Sequence, residues 1–155
     1  MLKGSKFSTF LFATLASFSF PITVNAQSTT ANPNLTVVVN GLRNQNGRVC
    51  VRVFDNRGGF PLSDTGIVRR GCTRVTGSSV TLRFNGLRPG NYALTGFHDE
   101  NSDGTVNLNS VGFPAEGVFI YVNPSALPLT GVPTFQQGSI SVRQNRTIRV
   151  PMTYF

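Results

Sequence analysis

Arg48-Val49-Cys50-Val51-Arg52-Val53-Phe54 is the stretch that decides the fold of this chain. Its valines occupy every second position and alternate with arginine and cysteine. In an extended strand successive side chains point to opposite faces, so the valines share one face while Arg48, Cys50 and Arg52 share the other. This period of two predicts a β-strand with one buried face and one polar outer face.

Short extended segments continue on both sides of this strand. Leu35–Val39 is rich in β-branched residues, and Ser79–Phe84 alternates in the same way, with its apolar residues inward. No apolar period of 3.6 residues runs long enough for a substantial helix. The sequence therefore predicts an all-β fold, a single antiparallel β-sandwich of seven to eight short strands over residues 35–155.

Turn sequences separate the predicted strands. Asn46-Gly47 is a favoured hairpin turn pair, and in Pro89-Gly90 the proline fixes φ while the glycine accepts a positive φ. Residues 139–143 and 147–152 predict a closing hairpin. Because Pro151 cannot donate a hydrogen bond to a neighbouring strand, we expect the last strand to lie at a sheet edge or to end at this residue.

Residues 1–26 predict a cleaved signal peptide. Lys3 and Lys6 form a short positive region, the stretch that follows is apolar, and Val24-Asn25-Ala26 supplies the small residues that a signal peptidase recognises. We expect residues 27–34 to form a disordered lead-in. The protein is therefore predicted to be exported, to the periplasm or the extracellular space, with no transmembrane segment in the mature chain.

Export also determines how the charge and the cysteines are interpreted. Both lysines of the chain fall in the predicted signal peptide, so twelve arginines face six carboxylates and the mature protein carries a net charge of +6. Cys50 and Cys72 are the two cysteines of the chain, and an even count in an oxidising compartment predicts a disulfide between them. The alternative is a pair of buried free thiols.

A series of short motifs runs through almost the whole predicted domain. They are Gly41-Leu42-Arg43-Asn44, Gly59-Phe60-Pro61, residues 84–93 (FNGLRPGNYA), residues 98–104 (HDENSDG), residues 112–117 (GFPAEG), Pro133-Thr134-Phe135 and Tyr154-Phe155. With these motifs the chain resembles a family of exported bacterial proteins known as domain of unknown function 2141. The resemblance implies a prealbumin-like or carboxypeptidase-regulatory-like β-sandwich, and it implies little about activity. The chain departs from the family pattern after Glu116-Gly117.

Residues 99–109 carry the best pattern for a ligand. Asp99-Glu100-Asn101-Ser102-Asp103-Gly104 places oxygen-bearing side chains at alternate positions, with a glycine for the sharp turn, as in the opening of an EF-hand calcium loop. Ser110 stands at the twelfth position, where a bidentate glutamate would close such a loop, so we expect weak calcium binding. The alternative is a solvated turn whose side chains bond their own backbone. The predicted ligands are Asp99, Asn101, Asp103, Thr105, Asn107 and Asn109.

Five arginines predict a basic sheet face that binds an anion. An anionic polysaccharide or another envelope component is the expected partner. Nucleic acid is not expected, because the protein is predicted to be exported. The alternative is an ordinary polar outer face of a sheet. The five residues are Arg48, Arg52, Arg70, Arg74 and Arg83.

No catalytic motif stands out in the sequence, and we expect a non-enzymatic module. His98 is the only histidine, which makes it the first candidate for general acid–base chemistry. The alternative function is a small secreted hydrolase that combines His98 with loop carboxylates drawn from Asp99, Asp103 and Glu116. A histidine that ends a strand and packs against the loop is the competing interpretation of His98. A purely structural accessory domain is a third possibility.

Overall fold

The computed structural model describes Met1, Gly4, residues 31–126 and residues 131–155. Apart from Met1 and Gly4, the predicted signal peptide lies outside the described residues, so its cleavage stays a prediction. At the end of the predicted lead-in, the backbone is already tied to the domain. The N–H of Leu87 donates to the carbonyl of Pro33, and the N–H of Arg146 donates to the carbonyl of Asn34, both at 2.9 Å. The packed chain therefore includes two residues before Leu35.

The described residues form eight strands and one short 3-10 turn, Pro124–Ala126. The prediction of an all-β fold with seven or eight strands is confirmed. No helix in the described part of the chain has the length and apolar character needed to cross a bilayer. The strands are β1 (Leu35–Asn40), β2 (Arg48–Phe54), β3 (Ile67–Arg74), β4 (Ser79–Phe84), β5 (Gly90–Asp99), β6 (Val118–Ile120), β7 (Ser139–Val142) and β8 (Arg146–Pro151).

The strands form two sheets packed face to face. One has three strands in the order β4-β1-β8, and the other has five, in the order β3-β2-β5-β6 with β7 also paired to β5. β6 and β7 pair with successive parts of the long strand β5. Both sheets turn alternate apolar side chains inward, and one core cluster joins them. The sandwich prediction is therefore confirmed.

Three details of strand pairing differ from the sequence predictions. β7 and β8 form no hairpin, because β7 pairs with β5 in one sheet while β8 pairs with β1 in the other. Asn46-Gly47 likewise joins two sheets, since β1 and β2 are not neighbours. The β1–β8 pair is parallel, so the sandwich is not wholly antiparallel. The side chain of Asn145 accepts the N–H of Asn34 at 2.9 Å, which ties the β7–β8 connection to the residue before β1. β8 does lie at a sheet edge, as Pro151 indicated.

Close packing in the core at Gly96 fixes which residues of β5 face outward. It lies opposite Val51 on β2 and Phe119 on β6, with its Cα facing the core. A Cβ at this position would overlap the ring of Phe119, so only glycine lets that ring, which is 5% exposed, fill the interior. Because side chains alternate along a strand, the neighbouring residues Thr95 and Phe97 face outward.

The predicted disulfide between Cys50 and Cys72 is confirmed. The two cysteines are directly opposite each other on β2 and β3, on the outer face. Arginines are paired on both sides of the bridge, since Arg48 lies opposite Arg74 and Arg52 lies opposite Arg70. Like charges directly opposite each other destabilise a strand pair, so the covalent bond holds together two strands that their charges push apart.

Replacing both cysteines with alanine is expected to lower the free energy of unfolding by about 3 kcal/mol, because the unfolded chain loses a cross-link. The bridge joins residues 22 positions apart. Urea denaturation of the wild type and of the Cys50→Ala/Cys72→Ala variant measures the loss. The loss should grow at low ionic strength, where the opposed arginines are least screened. Equal denaturation midpoints for the two proteins would show that the bridge contributes nothing.

Candidate functional site

The candidate site lies in the β5–β6 loop, residues 100–117, together with Asp99 at the end of β5. The loop leaves the end of β5 and returns beside itself. The N–H of Asn109 donates to the carbonyl of Phe113, and the N–H of Ala115 donates to the carbonyl of Asn107, both at 2.8 Å. The side chain of Asn109 accepts the N–H groups of Val111 and Phe113 and so forms the tip turn. The loop is therefore a hydrogen-bonded arm.

Glu116 closes the base of this arm. Its side chain is 5% exposed. One carboxylate oxygen accepts the N–H of Glu100 at 2.8 Å, and the other accepts the N–H of Asn107 at 3.1 Å. The carboxylate thus satisfies two backbone donors at the points where the two limbs of the loop meet. Glu116 supports the loop geometry, and both of its oxygens are already engaged.

Asp99 is the buried carboxylate at the inner end of the loop. Its side chain is 0% exposed. Oδ2 accepts hydrogen bonds from Nε of Arg48 at 2.8 Å and from the N–H of Gly104 at 3.0 Å. Oδ1 is buried and has no hydrogen-bond partner among the described residues. A buried carboxylate oxygen without a partner is costly, and such an atom is typical of a place where an ion or a water binds.

Asp103 gathers the polar side chains of the loop around it. Oδ1 accepts the backbone N–H and the hydroxyl of Thr105, at 2.8 and 2.9 Å. Oδ2 accepts the side-chain amides of Asn101 and Asn107, at 2.9 and 3.0 Å. The backbone N–H of Thr105 first, and then the two amides, hold the pKa of the Asp103 carboxyl well below its ordinary value. Asp103 is therefore an exposed, permanently charged centre of the loop.

The structure brings most of the predicted ligands together. Asn101, Thr105 and Asn107 each bond to Asp103, and Asn101 also bonds to Asn107. Asp99 joins them through the N–H of Gly104. Asn109 does not join them, because its side chain is used at the tip of the arm. Across the described ranges, no group of three or more histidine, cysteine, aspartate or glutamate side chains is placed to hold a metal ion. A cation in this loop would therefore need amide and backbone oxygens as well as carboxylates.

Two arginines that the sequence did not assign to the loop bind it from outside. Nη2 of Arg48 lies 3.4 Å from the carbonyl of Ser102, in addition to its bond to Asp99. Nη2 of Arg43 donates to the carbonyl of Ala115 at 2.9 Å and lies 2.8 Å from Oε1 of Glu100 in an ion pair. The pairing of β2 with β5 places Arg48 directly opposite Asp99, and that pairing cannot be inferred from the residues of the loop alone.

His98 is fully buried at the end of β5. Nε2 lies 2.8 Å from the carbonyl of Asn46, which can only accept, so Nε2 is the donor of this bond. Nδ1 and the hydroxyl of Tyr154 form a hydrogen bond of 2.8 Å. Both ring nitrogens are engaged inside the protein. The ring thus joins the end of β5 to the β1–β2 connection and to the last residues of the chain. This is a structural role, which was the alternative to a catalytic role for His98.

The predicted basic face is divided between the two sheets. Arg48, Arg52, Arg70 and Arg74 lie on the outer face of the five-stranded sheet, in two opposed pairs. Arg83 lies on β4 in the other sheet and does not belong to this face. Each pair has one carboxylate nearby. Asp99 bonds Arg48, whereas Asp64 lies 3.6 Å from Nη1 of Arg52 and 3.5 Å from Nη1 of Arg70.

Replacing Tyr154 with phenylalanine is expected to lower the free energy of unfolding by about 1–3 kcal/mol, because Nδ1 of the buried His98 then loses its hydrogen-bond partner. Burial raises the pKa of the Tyr154 hydroxyl, which keeps it protonated as a donor. Tyr121→Phe is the matched control, since Tyr121 also packs against the core but is not part of this network. Chemical denaturation of both variants gives the comparison. Equal losses would show that the His98–Tyr154 bond has no special weight.

Comparison with known proteins gives a family and no close relative. Residues 37–149 match the family model described as "Uncharacterized protein conserved in bacteria (DUF2141)". The matched range begins in β1 and ends in β8, so it includes both sheets and the whole candidate site. The search of the curated proteins and the search of the solved structures each found no match. The family resemblance expected from the motifs is confirmed, and the chain belongs to this family of uncharacterized bacterial proteins.

Proposed function

We propose that this protein is an exported, non-enzymatic β-sandwich module whose β5–β6 loop binds one calcium ion weakly. The proposal rests on Oδ1 of Asp99, which is fully buried and has no hydrogen-bond partner in the part of the chain that the structure describes. The other oxygen of the same carboxylate accepts the N–H of Gly104, so the group is turned toward the loop. A calcium ion would supply the missing partner of Oδ1.

The donor set of the loop has the chemistry that calcium prefers. Calcium binds six to eight oxygens, from carboxylates, amide and backbone carbonyls, and water. Asp99 and Asp103 supply carboxylates, and Asn101 and Asn107 already contact Asp103. Their amide NH₂ groups now face Oδ2 of Asp103, and a half-turn of each amide would present oxygen instead of nitrogen. The ion would then replace two N–H donors.

The same contacts explain why the affinity should be low. Arg48 already neutralises part of the charge on Asp99. Glu116 is the acid that could replace the missing bidentate ligand. Both of its carboxylate oxygens already accept backbone N–H groups. We therefore expect a dissociation constant of about 10⁻⁴–10⁻³ M, as in extracellular calcium modules. Such a site would be filled outside the cell and empty inside it.

The basic outer face supports the second part of the proposal, the binding of an anionic envelope or extracellular polymer. Two arginine pairs lie side by side on β2 and β3 and have only Asp99 and Asp64 near them among the described residues. Arg48 and Arg74 line an open depression of about 480 Å³. Polyanions bind such surfaces through many weak charge-assisted hydrogen bonds. The disulfide is typical of the oxidising compartments in which such polymers occur.

Calcium at ten times its dissociation constant is expected to raise the free energy of unfolding by about 1.4 kcal/mol. The test compares melting temperatures in millimolar calcium, in magnesium and in chelator. Asp103→Asn removes one ligand charge from an exposed position and should abolish the calcium shift. Asp64→Asn removes a carboxylate of the same face but outside the loop, and it should keep the shift. If wild type and Asp103→Asn respond to calcium identically, the loop is only a turn.

Polymer binding is tested with polygalacturonate as an anionic polysaccharide. Arg70→Gln/Arg74→Gln should weaken binding several-fold and reduce its salt dependence, because two charges leave the basic face. Arg83→Gln/Arg149→Gln removes the same charge from exposed positions of the other sheet and is the matched control. Equal losses for the two double variants would mean that only net charge matters and that there is no specific face.

A further inference from the structure

An apolar groove of about 370 Å³ crosses the outer face of the five-stranded sheet. Its floor is formed by outward-facing residues of three strands, among them Arg52, Phe97 and Ile120. One wall comes from Leu62, in the β2–β3 connection, and the other from Leu108, in the β5–β6 loop. The groove therefore lies between two loops on a rigid sheet, where ligand sites of this size are common.

The apolar residues along this groove are unusually exposed. Leu62 is 80% exposed, Leu108 is 62% exposed and Phe155 is 69% exposed. Phe113, itself 55% exposed, stacks on Phe155 with ring centroids 6.1 Å apart. Single exposed apolar side chains are normal, but a contiguous set around one groove marks an interaction site.

Arg52 gives the groove a charged end. Its guanidinium lies 5.4 Å from the ring centroid of Phe97, and its side chain is 26% exposed. Arg52 and Arg70 share the single carboxylate of Asp64, at 3.6 and 3.5 Å. Charge-assisted hydrogen bonds are shorter than this, at about 2.7–2.9 Å. Two guanidinium groups thus hold one carboxylate loosely, and a second anion would balance their charge.

We propose that this groove binds a single-chain amphiphile with a carboxylate head, a medium-chain fatty acid. The carboxylate pairs with Arg52, and the chain lies along Phe97 and Ile120 between the walls formed by Leu62 and Leu108. Charge complementarity selects this occupant. A neutral apolar ligand would leave Arg52 without a second anion, and a polysaccharide would leave the apolar walls without a contact. The inference shares Arg52 with the proposed basic face but does not depend on polymer or calcium binding.

The probe is sodium dodecanoate, titrated by calorimetry below its micelle concentration into the purified protein. Arg52→Gln should weaken dodecanoate binding about tenfold through the lost charge-assisted bond, while binding of the uncharged dodecanol stays unchanged. Leu62→Asp should weaken binding of both ligands. Because the side chain of Leu62 is 80% exposed, this variant is expected to fold normally. Arg83→Gln and Val132→Asp, at exposed positions outside the groove, are the matched controls and should bind like the wild type.

Three results would overturn the proposal. One is the absence of saturable dodecanoate binding. Binding to phosphatidylglycerol vesicles without binding to dodecanoate counts as this result. Another is an equal effect of Arg52→Gln and Arg83→Gln. The third is a dimer in sedimentation that Leu62→Asp dissociates, which would make the groove a contact between two copies. Arg74→Gln separates this proposal from the polymer site, because it should weaken polygalacturonate binding and leave dodecanoate binding intact.

Discussion

The antiparallel pairing of β2 with β5 is the interaction on which the rest of the structure depends. It sets Arg48 opposite Asp99, Cys50 opposite Phe97 and Arg52 opposite Thr95, all on the outer face. The first pair anchors the β5–β6 loop, the second places the disulfide beside an aromatic ring, and the third forms the charged end of the groove. On the inner face the same register sets Val49 opposite the buried His98. One register therefore positions the loop, the bridge, the groove and the core histidine.

The sequence predicted the faces of the strands well and their partners less well. Alternation identified the buried residues of β4 and the core valines of β2, because a period of two depends only on the local chain. It did not indicate that Cys50 and Phe54 of β2 are buried as well. Which strands pair depends on the closure of the two sheets, and nothing local encodes it. Asn46-Gly47 and residues 143–145 carry turn residues, yet each connects one sheet to the other. For the same reason Arg83 was grouped with arginines of a different sheet.

The clustering of polar side chains in the candidate loop could be predicted from the sequence, whereas the surroundings of the loop could not. Asp99, Asn101 and Asp103 follow a spacing that a hairpin-like turn brings together, so local pattern was sufficient. Arg48 comes from a different strand, and its bond to Asp99 changes the electrostatics of the loop. The groove had no sequence pattern, because Leu62, Leu108 and Phe155 lie far apart along the chain. Only the fold places them around one space.

The arginine row on β3 has a consequence for how the domain meets other proteins. β3 is the edge strand of the five-stranded sheet, and it carries Arg69, Arg70 and Arg74. An exposed edge is a template for pairing with the edge of another sheet, and closely spaced positive charge opposes the approach of a second copy. The disulfide fastens this charged strand to β2. The protein thus presents a permanently repulsive sheet edge, which protects the domain from edge-to-edge aggregation with a second copy.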